Sequence, residues 1–69
     1  MMGEQEATVV AIKPFDLHGT KYYDLAVRFA DGSNEQARLG AESVPDGIEP
    51  GDAVMATRVA NMVISLRRP

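Results

Sequence analysis

Lys21-Tyr22-Tyr23-Asp24-Leu25-Ala26-Val27-Arg28-Phe29-Ala30, closed by Asp31-Gly32, decides how this chain reads. Tyr23, Leu25, Val27 and Phe29 alternate with Tyr22, Asp24, Ala26 and Arg28. A period of two with one apolar face predicts a half-buried β-strand. Asp-Gly is a strong hairpin signal, because Gly takes positive φ at no steric cost. A partner strand is therefore expected near Ser33–Leu39, with Ala37 and Leu39 inward and Gln36 and Arg38 outward.

Upstream, Ala7-Thr8-Val9-Val10-Ala11-Ile12 predicts a first strand near Glu6–Lys13. Its nearly continuous apolar run suggests that both faces are covered along part of it. Pro14 lacks a backbone donor and is expected to end the strand. Residues 1–5 read as a flexible tail. His18-Gly19 is the turn into the second strand.

Downstream, residues 40–51 hold two Pro and three Gly, which forbids a long helix. At most one helical turn fits, over Ala41–Val44, with Val44 and Ile48 plugging one end of the fold. Pro50-Gly51 leads into a fourth strand, Asp52 to Val59, with Val54 and Ala56 inward. Ala60-Asn61 is a tight turn into a fifth strand, Met62–Arg67. Strict alternation there puts Met62, Ile64 and Leu66 inward and Val63, Ser65 and Arg67 outward. The expected core is Leu25, Val27, Val54, Ile64 and Leu66 with Phe29 beside them. Gly32 and Asn61 are expected at positive φ.

Five short strands, with a compact segment between the third and fourth, predict one small all-β antiparallel barrel spanning residues 1–69. The strand pattern, with Pro50-Gly51-Asp52-Ala53-Val54 leading out of the crossing segment, resembles the oligonucleotide/oligosaccharide-binding (OB) fold over roughly residues 6–68. The OB fold usually carries a helix between strands three and four, which residues 40–51 are too short and too Pro/Gly-rich to supply. An SH3-like barrel is the alternative. OB relatives often bind single-stranded nucleic acid, and many others serve as protein-binding or structural modules.

A chain of 69 residues makes a single marginal domain; near 60 residues only about 60% of the unfolded surface is buried. It has no Cys and one His, so neither disulfides nor a Cys/His zinc site is expected. Asp16 beside His18 does not make a metal site. Met1–Glu6 lacks the basic and apolar regions of a signal peptide, and no apolar run approaches a membrane span, so a cytoplasmic location is expected. No phosphate-binding Gly loop, nucleophile elbow or second His is present. No catalytic residue and no cofactor is therefore expected.

The net charge of −3 is uneven. Glu42, Asp46, Glu49 and Asp52 stand without a base between residues 39 and 57, whereas Arg58, Arg67 and Arg68 stand without an acid beyond them. In an OB-like binder, exposed aromatics stack bases and cations track phosphates. Tyr22 with Lys21, Arg28 and Arg38 forms the candidate surface here, and Lys13 and, in the first loop, Phe15 extend it. Arg58 adds a cation if the last hairpin brings it alongside. The plainer alternative makes Phe15 a cap on the barrel end and Tyr22 an ordinary amphipathic β-former. Asp24 and Glu35, read on the same surface, would repel phosphate. The expected function is a non-enzymatic module binding another protein, with weak binding of single-stranded nucleic acid as the alternative. A monomer or weak homo-oligomer is expected.

Overall fold

The apolar alternation of residues 21–29 becomes a strand whose neighbours on both sides are set by tight turns. The computed structural model describes residues 2–69. Its strands are β1 (Met2–Leu17), β2 (Thr20–Phe29), β3 (Asn34–Gly40), β4 (Ala53–Val59) and β5 (Met62–Arg67). A single 3-10 turn, Ala41–Ser43, lies between β3 and β4. All pairings are antiparallel, in the order β3-β2-β1-β4-β5. Three hairpin-connected strands and a fourth that returns beside the first make a Greek key. The sheet is not closed by backbone hydrogen bonds, since β3 and β5 share no ladder.

β1 is longer than the sequence suggests at both ends. Met2–Gln5, expected in a tail, pair with Val59–Ala56 of β4; Met1 lies outside the described residues. Pro14 does not end the strand but pairs with Tyr23. The reason is the hydrogen-bond phase. His18 (φ +51°) and Gly19 (φ +80°) form a two-residue hairpin turn between Leu17 and Thr20. In such a turn the flanking pair is hydrogen-bonded, and the phase then alternates along the ladder. Lys13, Phe15 and Leu17 bond to β2, so the nitrogen of Pro14 faces the other edge. β4 pairs β1 only as far as Thr8, so that edge is free at Pro14. A residue without an N–H costs no ladder bond there.

Two bulges reset which side chains face inward. Val9 opposes Val27 and Ala11 opposes Ala26, leaving Val10 as an extra residue. The inward set therefore runs Ala7, Val9, then Ile12, and Val10 is exposed. The apolar run of β1 reflects this bulge, not a strand covered on both faces. In β5, Arg58 opposes Val63 and Thr57 opposes Ser65, leaving Ile64 extra. Val63 is consequently buried (4% exposed) while Ile64 (40%) and Met62 (67%) face solvent, reversing the expected alternation. Bulges also bend a strand and raise its twist, which helps curl the sheet over its apolar side.

One core gathers there from all five strands. Leu25, Val27 and Phe29 of β2 meet Leu39, Val54, Ala56 and Leu66 as expected, with Val63 in place of Ile64. Val44 and Ile48 of the connecting segment join it. Gly32 is at φ +85°, as its hairpin requires. In the last hairpin the positive φ falls on Ala60 (+56°) rather than on Asn61. That is the first central residue of a two-residue turn, the position at which a type II′ geometry places its positive φ.

Candidate interaction face

Cross-strand register builds one continuous outer surface on the second half of β1, β2 and β3. Lys13 pairs with Asp24, which pairs with Arg38. Phe15 pairs with Tyr22, which pairs with Gly40. Ala11 and Ala26 supply a floor of small side chains. A shallow trough of about 580 Å³ crosses these strands, lined among others by Ala11, Lys13, Asp24, Ala26, Gln36 and Arg38. Alternation, the bulge at Val10 and the cross-strand register together bring these groups to one face.

The aromatics are engaged with each other and with a cation. Phe15 and Tyr22 stack at 5.5 Å between centroids with their planes 21° apart. The Arg38 guanidinium carbon lies 4.5 Å from the Phe15 centroid. Arg38 also forks onto Asp24, with Nε to Oδ1 at 2.8 Å and Nη2 to Oδ2 at 3.2 Å. That hydrogen bonding, with the Arg38 charge and then Lys13, holds the Asp24 carboxyl below its usual range. Arg28 Nε donates to Asn34 Oδ1 at 3.0 Å. Lys13 makes no hydrogen bond or ion pair among the described residues.

Acids also mark this face. The Glu42 carboxylate lies where a Cβ on Gly40 would stand, beside Tyr22 in the ladder. The charge is therefore mixed: Lys13, Arg28 and Arg38 against Asp24 and Glu42. Nothing in the alternation pointed to Glu42, because the 3-10 turn aims it.

Five of the seven candidate residues share this face: Lys13, Phe15, Tyr22, Arg28 and Arg38. Two do not. Lys21 lies on the opposite side of β2, with Nζ 5.4 Å from the Tyr23 centroid. Arg58 lies at the other end of the sheet, half-buried over the Phe29 ring and bonded to Gln5 and Glu35. Arg67 is paired with Glu4 at 2.6 Å and Arg68 donates to the Asp46 carbonyl at 2.7 Å, so the three arginines form no free basic patch.

Glu35, expected beside Asp24, faces the opposite way. It shares its side of β3 with Ala37 and Leu39, which was the signal available in the sequence. Among the described residues no three His, Asp or Glu side chains come together as a metal-binding cluster, and no helix is long and apolar enough to cross a membrane.

The class is thus a small all-β protein, a five-stranded antiparallel Greek-key sheet with one mixed-charge face. No protein-family model matches the chain, and no curated protein or solved structure shows significant similarity to it.

Proposed function

We propose that this chain is a non-enzymatic, OB-like barrel module that docks a protein partner on the outer face of β1, β2 and β3. The fold part of the reading rests on the strand order, since the OB fold is a five-stranded, partly open Greek-key barrel. The observation that carries the functional part is the aromatic cluster in which Phe15 stacks on Tyr22 and has the Arg38 guanidinium over its ring. A base-stacking platform needs an open aromatic face. Here Phe15 has Tyr22 and a guanidinium as its neighbours, and both signs of charge surround the trough. Such a surface suits the polar and aromatic mixture of a protein interface.

One observation favours the second reading, weak binding of single-stranded nucleic acid. With Glu35 turned away, the face carries three cations against two acids. The test is site-specific photocrosslinking from position 26, on the trough floor, in a cell extract. A protein adduct that survives nuclease and is lost on Tyr22→Ala supports the docking module. An adduct that nuclease removes supports the second reading. Adducts indifferent to Tyr22→Ala overturn both.

A further inference from the structure

β3 and β5 are the two outer strands of the sheet, and they approach each other without a backbone ladder. Side chains make the join. Glu35 Oε2 accepts the Val63 amide at 2.5 Å, and Oε1 accepts from Arg58 Nη2 at 3.0 Å. Arg58 Nη1 donates on to Gln5 Oε1 at 2.9 Å, tying the join to β1. Among the described residues Arg58 Nε is buried without a hydrogen-bond partner. One carboxylate therefore does at this seam what a row of backbone bonds does elsewhere in the sheet.

We propose that Glu35 is a latch, and that β5 opens from the β3 edge as a unit while the β1–β2–β3 meander stays folded. β5 has a ladder on one side only, to β4, and a bulge at Ile64 interrupts it. Its inward residues are only Val63 and Leu66, so the burial holding it is small beside that of β2. Segments with few buried contacts open sub-globally, below the free energy of global unfolding. Release uncaps the Val63 N–H and separates two edges that already lack a ladder to each other, which is the form in which sheet edges recruit further strands.

Native-state amide hydrogen exchange followed by NMR tests the latch. Glu35→Gln keeps the size of the side chain but removes its charge and one acceptor. Charge-assisted bonds are the stronger kind, so the Val63 amide and its β5 neighbours should exchange ~10-fold faster. The amides of Val27 and Val54 in the core should change far less. Unchanged exchange at Val63, or equal acceleration in β5 and the core, overturns the proposal. If Glu35→Gln does not fold, the wild-type chain in sub-denaturing urea decides. β5 amides should then open with a weaker urea dependence than those of Val27 and Val54, because a sub-global opening exposes less surface. Equal dependence overturns the latch.

Discussion

The Val63 amide donates to Glu35 Oε2 at 2.5 Å across a boundary where β3 and β5 share no ladder. An edge strand normally leaves its N–H groups to water or to another chain. Here the first inward residue of β3 reaches over and caps one of them. Burying a carboxylate is costly unless it is paired, and Arg58 supplies the pair at 3.0 Å.

Glu35→Ala leaves the Val63 donor and Arg58 without their acceptor. Stability should fall by about 1.5–3 kcal/mol, the range for hydrogen bonds to charged groups. Chemical denaturation measures it. A loss within about 0.5 kcal/mol, as at an ordinary surface site, would mean that apolar packing alone holds the seam.

The bulge in β5 predicts unequal costs at Ile64 and Leu66, two positions apart. Leu66→Ala, like Leu25→Ala, should cost about 2–5 kcal/mol through lost burial and a cavity. Ile64→Ala should cost under about 1 kcal/mol, because its side chain is largely outside the core. Equal losses at Ile64 and Leu66 in thermal denaturation would contradict the Ile64 bulge.

Glycine is favoured at the positive-φ position of both the β2–β3 and the β4–β5 turn. Ala60 holds φ +56°, a conformation that strains any Cβ. Ala60→Gly should raise stability by about 0.5–1 kcal/mol once the added unfolded-state entropy is subtracted. Gly32→Val should destabilise strongly, since Gly32 is at φ +85° and a β-branched side chain fits that region poorly. A melting temperature lowered by Ala60→Gly would contradict the positive φ there.

Acid should weaken the fold through three exposed carboxyls. Hydrogen bonding to Arg67 lowers Glu4, Arg38 lowers Asp24, and Ser33 lowers Asp31. A carboxyl whose folded pKa lies below its unfolded one contributes stability that is complete above the unfolded value. That contribution is lost as pH falls through the folded value. The loss should begin below the ordinary values of 4.5 for Glu4 and 3.8 for Asp24 and Asp31. Carboxyl NMR titration checks it: Arg38→Gln should move the Asp24 midpoint back up while Glu4 stays put. All three groups are exposed, so salt should shrink the effect.

Oligonucleotide binding should be weak or absent at physiological salt. Arg38 is committed to Asp24, and Glu42 adds a second acid to the face. Few released counterions leave little affinity. Sub-micromolar binding of single-stranded DNA or RNA at ~0.15 M salt, lost on Tyr22→Ala, would make nucleic-acid binding the better account of the face.

Much of the architecture was legible in local sequence. The alternation Tyr23-Leu25-Val27-Phe29 identified β2 and its inward side, and Asp31-Gly32 identified the hairpin to β3. The Pro/Gly density of residues 40–51 limited the crossing segment to one turn. Tyr22, Arg28 and Arg38 follow from the same alternation, whereas Lys13 and Phe15 reach the face because β1 bulges at Val10 and runs on past Pro14. What misled was strict periodicity. Val10 and Ile64 are each the extra residue of a bulge, and a bulge shifts every later side chain without changing composition.

The chain's own residues thus determined the strand count, the turns and most of the core, because those depend on near-neighbour stereochemistry and on burying one face. Tertiary structure decided the rest. Pro14 sits inside β1 only because β4 stops at Thr8 and leaves that edge free. Glu35 turns inward by its alternation with Ala37 and Leu39, but its partner Val63, 28 residues away, is set by where β5 lies. Arg58 leaves the solvent for Phe29, Gln5 and Glu35. Each outcome depends on which strand edges meet in space, a long-range relation that no local pattern encodes.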